Sequence, residues 1–334
     1  MKLIRKISFP FVPLYYLATY LRNKMFDWGI KKSMRYEFPV ICVGNLSVGG
    51  TGKTPMIEYL IQLLKDDYKI ATLSRGYKRK SKGYQLASQQ SDADQLGDEP
   101  FQFYNKFKEQ VLVAVDADRA HGIELLRNND IAPEVILLDD AFQHRRVSAG
   151  LNILLSTYYN LYTEDILLPT GNLREPKSGA KRADVIVVTK CPSNLSEKEK
   201  IQIIKSINPK THQQVFFSSI NYGAEVISDQ DRLTLEVLKD LTLVTGIANA
   251  STLVDYLKGK GLKFNHLNFS DHHEFTSDEI SELSKLELIL TTEKDYMRLK
   301  QYESLRGKLY YLPITVQLDR PELFAKRILE FIEN

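Results

Sequence analysis

The stretch "NLSVGGTGKTP", residues 45–55, sets three glycines in front of a lysine and a threonine. It matches the pattern G-x-x-x-x-G-K-[ST] from Ser47 to Thr54, except that Ser47 replaces the first glycine. The glycines let successive backbone N–H groups face one anion, and a helix that starts after the loop adds positive potential there. A phosphate-binding loop is therefore predicted, with a purely structural glycine turn as the alternative. Its candidate contacts to a nucleotide are Ser47, Val48, Gly49, Gly50, Thr51, Gly52, Lys53 and Thr54.

Two residues at the end of this loop, and two acids further along the chain, suit phosphate chemistry with a metal ion. Lys53 would neutralise the outer phosphates, and the hydroxyl of Thr54 would bind magnesium. The apolar run "VILLDD", residues 135–140, ends in Asp139 and Asp140. If a strand continues through both acids, their side chains point to opposite faces, so one would reach the water shell of the metal and the other would orient it. Ordinary acids at a strand end are the alternative.

Transfer of a phosphate to a hydroxyl needs a group that takes the proton, usually Asp, Glu or His. The stretch "LGDEPFQF" places Asp98 and Glu99 on a predicted glycine-proline turn, where a carboxylate would protrude or simply be solvated. The stretch "NFSDHHEF" brings together Asp271, His272 and His273. A metal site is one option, but two adjacent side chains seldom chelate one ion, and the sequence suggests no third ligand nearby. A helix-capping aspartate beside satisfied histidines is the other alternative.

The elements that must position these residues read as repeated strand, loop and helix. Continuous apolar runs predict strands covered on both faces at residues 39–44, 70–76, 111–116, 135–140, 151–156 and 184–190. Between the first two, an apolar stripe at helical spacing predicts a helix; it consists of Ile57, Leu60, Ile61 and Leu64. The pattern indicates an α/β, P-loop NTPase-type fold with a mostly parallel sheet and helices on both faces. Its ligands should lie beyond the carboxyl ends of the strands.

A second, smaller α/β domain is predicted after Tyr222. Residues 241–261 read as strand, glycine turn and helix, and residues 286–295 as another strand. Two alternating segments, 213–223 and 308–318, would pair as a two-stranded linker where the chain leaves and returns. The predicted boundaries are 1–36 for an N-terminal helical segment, 37–214 for the kinase-like domain and 215–317 for the smaller domain with the linker. The amphipathic helix 318–334 would pack back on the larger domain.

The amino terminus is predicted to lie on a membrane surface. The run Ile7–Leu21 is apolar but shorter than a spanning helix needs, and Pro10 and Pro13 are expected to interrupt it. Its flanks are rich in lysine and arginine, which anionic lipids attract. A helix packed on the protein's own core and a cleaved signal peptide are the alternatives, and no small-residue cleavage site follows the run.

The bulk composition excludes other classes of protein. Hydrophobic residues make up 43% and charged residues 26%, as in ordinary globular chains. A formal net charge of +3 over 334 residues is too small to indicate nucleic acid by itself, since that partner usually demands a concentrated basic face. Cys42 and Cys191 are the two cysteines, so neither a disulfide framework nor a thiolate zinc cluster is expected, and a reducing cytoplasm fits.

Taken in order, these motifs resemble a known family. The set "VGNLSVGGTGKTP", "LSRGYKRK", "GDEP", "LDDAFQH", "LPTGNLREP", "VVTKC", "FSDHHEF" and "TTEKD" closely resembles the tetraacyldisaccharide 4′-kinases of Gram-negative bacteria. The resemblance implies an enzyme that uses ATP and Mg²⁺ to phosphorylate the 4′-hydroxyl of an acylated glucosamine disaccharide 1-phosphate, giving lipid IVA for lipid A. It also implies a peripheral position at the cytoplasmic face of the inner membrane. No obligate protein partner is predicted.

The resemblance also assigns roles to residues. It implies that Lys53 is catalytic, that Asp98 accepts the sugar proton, and that His272, from the smaller domain, holds or relays that proton after the domains close. Thr54, Asp139 and Asp140 match the metal-associated residues, with Glu175 as metal support, and the "TTEKD" end is a candidate for the adenine pocket. Candidates for charge stabilisation or for substrate contact are Arg75, Arg119, Arg174, Gln143 and His144. Ala141 stands where the family often has glycine, which should alter backbone freedom and not chemistry.

Two other functions account for fewer of these residues than a kinase does. A nucleotide switch of the partitioning or metallochaperone class has a similar glycine loop, but it needs no acceptor base and so leaves Asp98 and His272 without a role. A noncatalytic lipid-binding adaptor would leave Lys53, Thr54 and Asp140 without one. The kinase accounts for all of these residues and for the apolar amino terminus.

Overall fold

The computed structural model describes residues 7–271 and 273–334, which form two β-sheets with helices packed on them. The strands are β1 Val40–Asn45, β2 Ile70–Ser74, β3 Gln85–Leu86, β4 Val111–Val115, β5 Val135–Asp139, β6 Leu151–Thr157, β7 Val185–Thr189, β8 Gln214–Tyr222, β9 Glu225–Ile227, β10 Arg232–Thr234, β11 Leu241–Thr245, β12 Phe264–Asn268, β13 Leu288–Thr292, β14 Leu309–Leu312 and β15 Ile314–Leu318. The α-helices are α1 Val12–Asp27, α2 Lys53–Leu64, α3 Ala93–Leu96, α4 Asp98–Phe107, α5 Arg119–Arg127, α6 Glu197–Ile207, α7 Ser251–Gly259, α8 Ser277–Ser284, α9 Glu293–Leu299 and α10 Pro321–Glu333.

The larger sheet has nine strands in the order β15-β8-β7-β6-β1-β5-β2-β4-β3. Neighbouring strands from β8 to β4 are parallel, and the edge strands β15 and β3 run antiparallel to their neighbours. β1 lies between β5 and β6, so successive strands are added on opposite sides of it. A crevice opens at such a switch point beyond the carboxyl ends of the strands. The loop that follows β1 lies at that point.

Both faces of the larger sheet are covered, as the continuous apolar runs predict. Val40 and Cys42 of β1 pack in a core with α5 and α6, and Ile41 and Val43 pack in a second core with α2, α4 and α10. The predicted stripe on α2 lies in this second core, and all four of its residues are fully buried. The sheet, its helices and these two cores are called the first lobe.

The smaller sheet has six strands in the order β10-β9-β14-β13-β11-β12. The strands from β14 to β12 are parallel, and β9 and β10 extend the sheet as antiparallel strands. α7 packs on one face, while α8 and α9 pack on the other. This sheet and its helices are called the second lobe, and together with the first lobe they confirm the predicted α/β fold class.

The chain crosses between the lobes through the predicted pair of strands. β8 and β15 pair antiparallel, with Tyr222 opposite Ile314, and both belong to the larger sheet. Pro313 alone separates β14 from β15, and β14 belongs to the smaller sheet. The domain boundaries predicted from the sequence stay a proposal.

The two lobes also contact each other through α4 and α9. The ammonium of Lys106, on α4, lies 2.7 Å from Glu58 of α2 and 3.0 Å from Glu293 of α9. Both carboxylates are buried. Removing a partner would leave a buried charge unpaired, so this cluster holds α4 and α9 together.

α1 has two different faces. Leu14, Leu17 and Leu21 are exposed on the outer face, whereas Val12 and Tyr15 pack against the first lobe. As expected, the apolar run Ile7–Leu21 is not one continuous α-helix: a 3₁₀-helix at Phe9–Phe11 precedes α1, and Pro10 and Pro13 each lie in the first turn of one of these helices, where the missing N–H has no intrahelical partner to lose. Among the described residues, no helix combines the length and apolar character that a membrane span requires.

Packing of α10 on the first lobe depends on Phe324. Its ring is fully buried and lies edge-on to Phe216 and Tyr59, at centroid distances of 5.3 and 5.7 Å. We expect Phe324→Ala to lower the free energy of unfolding by about 3–5 kcal/mol in urea titrations, because it leaves a cavity. Leu323, on the same helix, is 41% exposed, so Leu323→Ala should change it by about 0.5 kcal/mol or less. Equal shifts in the two variants would contradict this packing.

Candidate active site

The loop between β1 and α2, residues 46–52, is called the phosphate loop. Gly49 and Gly52 adopt φ values of 106° and 87°, which side chains rarely tolerate. Gly52 directly precedes α2. Among the described residues, none accepts a hydrogen bond from the backbone N–H of Gly50, Gly52, Lys53 or Thr54. Donors clustered at a helix start form a site for an anion.

Side chains from two strands fix the shape of this loop. The Asn45 amide at the end of β1 donates to the Thr51 hydroxyl at 2.7 Å. The Thr189 hydroxyl at the end of β7 donates to the Thr51 carbonyl at 2.7 Å. Both contacts are buried. The loop is therefore held from both sides, and its free donors keep a defined direction.

The two acids after β5 differ in backbone and surroundings. The strand ends at Asp139, and Asp140 takes a φ of 48°, so the alternation expected for a strand running through both acids is wrong. Asp139 is buried and accepts a bond from the Ser74 hydroxyl at 3.2 Å, and its Oδ1 has no hydrogen-bond partner within residues 7–271 and 273–334. Asp140 lies 3.7 Å from the ammonium of Lys53.

These surroundings move the two carboxyl pKa values in opposite directions. Burial raises the pKa of Asp139 to about 6, and the charge of Asp140 adds to this while Lys53 opposes it. Burial acts in the same sense on Asp140, but the charge of Lys53 and the bonds from Arg174 outweigh it and lower the pKa of that carboxyl. Asp140 is thus the acid that holds the cations of the site.

Arg174 connects the acids to the phosphate loop. Its guanidinium donates to both oxygens of Asp140, at 3.1 and 2.7 Å, and to the carbonyl and side chain of Asn45. Its backbone N–H donates to the Leu46 carbonyl at 2.7 Å. A planar fork in this place sets a second positive charge beside Lys53.

Two other arginines proposed for the site occupy different positions. Arg119 is 2% exposed and donates to the carbonyls of Asp116 and Asp139, so its charge lies on the buried side of Asp139 and Asp140. Burial lowers its pKa to about 10. Arg75 is exposed after β2, and its charge is felt by Arg119. Exposure leaves Arg75 available to a ligand.

Glu175, proposed as metal support, accepts three protein hydrogen bonds. Its carboxylate is 2% exposed and receives Asn23 of α1, Gln143 and Arg182, at 2.8, 2.9 and 2.8 Å. Gln143 also donates to the Asn45 carbonyl at 2.9 Å. Glu175 therefore organises the protein around the phosphate loop in this arrangement, and its contact with a metal stays a prediction.

His144 lies next to this group, near Asp118. Burial, together with the charge of Arg119, lowers its pKa to about 4, so the imidazole is neutral at pH 7. The nitrogen Nε2 of His144 is buried without a hydrogen-bond partner among the described residues. A neutral ring of this kind has room to accept or donate one further bond.

Asp98 starts a helix, and the predicted glycine-proline turn is wrong. Gly97, with φ 91°, precedes α4, and Asp98 and Glu99 occupy its first turn, where acids are favoured and proline is tolerated. Arg298 of α9 donates to Asp98 Oδ2 through Nε at 2.9 Å and through Nη2. The candidate base is thus held by a side chain of the other lobe.

The "DHH" segment belongs to the second lobe, and His272 lies outside the described residues. The ring nitrogen Nε2 of His273 lies 2.9 Å from Glu279, and the imidazole stacks on Phe269. The cap of α8 is Thr276, in a capping box with Glu279, and not the aspartate of the segment. The role of His272 stays a prediction.

Sequence reasoning missed several residues that shape the site. Arg298 and Asn23 contact site residues 200 and 152 positions away, a separation that leaves no local pattern. Asn45 and Thr189 lie inside the motifs "VGN" and "VVTKC", so a polar residue at the end of a buried strand was the available signal. Lys190, with φ 58°, follows Thr189 and brings its ammonium near Gly50.

The residues present fit a magnesium ion. Among residues 7–271 and 273–334, no three His, Cys, Asp or Glu side chains group to hold a metal by themselves. Magnesium beside a nucleotide takes most of its ligands from phosphates and water, and the protein adds one or two oxygens. The unpartnered Oδ1 of Asp139 and the hydroxyl of Thr54, in the first turn of α2, supply such oxygens.

The opposite pKa shifts give a test of the acid pair. Because the folded pKa of Asp139 lies above the ordinary value of 3.8, its charge costs stability that grows as the pH rises from about 4 to about 6. Asp139→Asn should therefore raise the free energy of unfolding at pH 7.5 by on the order of 3 kcal/mol, and the gain should vanish near pH 4. This change in the free energy of unfolding is measured by thermal denaturation of the nucleotide-free protein in the presence of a chelator.

Asp140→Asn is the matched control. The pKa of Asp140 is lowered, so its charge stabilises the fold above the unfolded pKa and that contribution disappears as the pH falls through the folded pKa. This variant should melt at a lower temperature at pH 7.5. Shifts of the same sign in both variants would show that the two carboxylates do not have the environments described.

Comparison with known proteins places the chain in one family. The family described as tetraacyldisaccharide-1-P 4′-kinase matches residues 4–333. A tetraacyldisaccharide 4′-kinase of Flavobacterium johnsoniae is 50% identical over 100% of this chain and 99% of its own, and one of Porphyromonas gingivalis is 38% identical over 99% and 98%. The crystal structure of an "apo" form of LpxK from Aquifex aeolicus, in complex with ATP, has a TM-score of 0.78 at 34% identity, over 98% of this chain and 99% of that one. The protein belongs to the tetraacyldisaccharide-1-P 4′-kinase family.

Proposed function

We propose that the protein transfers the γ-phosphate of ATP to the 4′-hydroxyl of tetraacyldisaccharide 1-phosphate, which gives lipid IVA in lipid A biosynthesis. The family match over almost the whole chain supports the reaction, and the ATP in the Aquifex relative supports the donor. The single observation that carries the proposal is the phosphate loop itself, whose free N–H donors lie with Lys53 and Arg174 at the switch point of the larger sheet.

In this proposal, each residue of the site has a role in the transfer of phosphate. The N–H groups of the phosphate loop and the ammonium of Lys53 bind the phosphate oxygens, and Arg174 adds charge where the transferred group passes. Asp98 accepts the proton of the acceptor hydroxyl as its oxygen bonds to phosphorus and the bond to ADP breaks. His272 would support Asp98, as the family resemblance implies.

Magnesium is part of the proposal. Thr54 and Asp139 would hold it, directly or through water, and Asp140 would orient the cations around it. When bound, the ion neutralises phosphate charge. The raised pKa of Asp139 agrees with a role in binding a cation, because a positive charge nearby would favour the ionised form of this carboxyl.

A peripheral position at the cytoplasmic face of the inner membrane completes the proposal. The acceptor carries acyl chains, and the outer face of α1 exposes Leu14, Leu17 and Leu21 next to the site. Apolar side chains that are exposed together mark a surface for a membrane or a partner. Phe9 and Phe11, also exposed, extend this surface.

The transfer reaction is tested with purified protein, labelled ATP, magnesium and the disaccharide acceptor in detergent. We expect a labelled lipid, and no labelled lipid with Lys53→Ala. Asp98→Ala should lower kcat by about 10² to 10⁴ with little change in ATP affinity, because it removes the base and not the phosphate contacts. Transfer of phosphate to water alone would favour a nucleotide switch. Normal turnover by Asp98→Ala would show that Asp98 is not the base.

Membrane binding is tested with vesicles that contain anionic lipid. Leu17→Asp combined with Leu21→Asp should weaken cosedimentation by about tenfold or more, since each leucine buried in the interface contributes about 1.5–3 kcal/mol. Ile201, on α6, is 52% exposed, so Ile201→Asp is a matched control that should bind like the parent protein. Equal binding by all variants would remove α1 as the contact surface.

A further inference from the structure

The inner face of α1 contacts the residues that surround the phosphate loop. The Tyr15 hydroxyl donates to the Arg174 carbonyl at 2.9 Å, and the Asn23 amide donates to Glu175 at 2.8 Å. The guanidinium of Arg22 donates to the Gln143 carbonyl at 2.9 Å. Three side chains spaced along one helix thus reach the same group of residues.

The segment that receives the contacts of Tyr15 and Asn23, residues 172–175, pairs with the phosphate loop. Arg174 N–H donates to the Leu46 carbonyl at 2.7 Å, and Val48 N–H donates to the Asn172 carbonyl at 2.8 Å. Ser47 and Leu173 form an antiparallel bridge between them. A shift of residues 172–175 would therefore shift the first half of the phosphate loop.

A second route runs through side chains. Glu175 accepts from Gln143 at 2.9 Å, and Gln143 donates to the Asn45 carbonyl at 2.9 Å. Asn45 in turn donates to the Thr51 hydroxyl at 2.7 Å. Hydrogen bonds of ordinary length thus connect Asn23 of α1 to the second half of the phosphate loop.

Because Glu175 is buried, losing its hydrogen bond from Asn23 is unfavourable. Glu175 is 2% exposed, so an oxygen that loses a protein donor is not readily served by water. Its carboxylate also lies close to Gly179, where a Cβ would come within 2.8 Å of Oε2. Loss of the Asn23 donor should therefore displace Glu175, and with it Gln143 and residues 172–175.

We propose that α1 forms one wall of the active site and that Asn23 is a positioning residue for phosphoryl transfer, acting through Glu175 on the phosphate loop. This inference rests on the proposed function, and it separates two roles of one helix. The outer face meets the membrane, while the inner face sets the geometry in which nucleotide binds.

The test compares Asn23→Leu, which removes the amide at similar size, with Thr19→Val. Among the described residues, the Thr19 hydroxyl donates only to carbonyls of its own helix, those of Tyr15 and Tyr16, so Thr19→Val matches the loss of a side-chain hydrogen bond on α1 without touching residues 172–175. We expect Asn23→Leu to lower kcat/KM for ATP at least tenfold and to bind anionic vesicles within twofold of the parent protein. Thr19→Val should keep both values within twofold.

A double-mutant cycle tests whether Asn23 acts through Glu175. In a Glu175→Gln background, Asn23→Leu should lower kcat/KM by no more than about threefold, because the contact it removes is already altered. Full additivity of the two substitutions would overturn the proposal, as would unchanged kcat/KM in Asn23→Leu alone. If Asn23→Leu fails to fold by circular dichroism, Tyr15→Phe decides the question, with at least a threefold loss expected and unchanged kinetics counting against the proposal.

ATP affinity measured by calorimetry without acceptor separates this inference from the proposed function. Asn23→Leu should weaken ATP binding at least threefold relative to the parent protein. If the parent protein phosphorylates no lipid but this difference is found, the choice of acceptor is wrong and the role of Asn23 stands. If lipid is phosphorylated and Asn23→Leu binds ATP with unchanged affinity and turns over normally, the inference fails alone.

Discussion

Backbone N–H groups that have no partner among the residues the structure describes are the constraint on which this site depends. Several lie together where the phosphate loop enters α2, and such donors cost free energy until an anion satisfies them. They bind an anion well only if their directions are fixed in advance. Asn45, Thr189 and the pairing with residues 172–175 supply that fixation from three sides.

The charges around the loop follow from the same requirement. Two cations face the place for phosphate, and both are held by Asp140, which keeps them oriented and stays ionised. Its neighbour Asp139 is buried, and one of its oxygens lacks a hydrogen-bond partner in the described part of the chain. One acid of the pair is thus held by protein cations, and the other is the one that we propose for a ligand. Opposite environments at adjacent positions are typical of sites where acids have different tasks.

The sequence allowed the sheet, the helix α2, the linker strands and the phosphate loop to be predicted, because each rests on a local pattern of apolar residues or glycines. The left-handed backbone at Asp140 and the helix start at Asp98 were not predictable in the same way. Asp140 takes a conformation that an isolated residue rarely adopts, so its surroundings impose it. The contacts of Asn23 with Glu175 and of Arg298 with Asp98 depend on how distant elements pack, and one sequence carries no record of that.

The two faces of α1 bear on how far the phosphate loop would lie from the lipid tails. An α-helix with its side chains is about 10–12 Å across. If the leucines of its outer face lie in the boundary between headgroups and acyl chains, as we propose, the phosphate loop that Asn23 and Tyr15 help to position would lie roughly one helix diameter above the lipid tails. A sugar headgroup could then meet the loop while its chains remain among those of its neighbours. Under that proposal the substrate would reach the enzyme by lateral diffusion within the leaflet, and no lipid-extracting cavity would be needed.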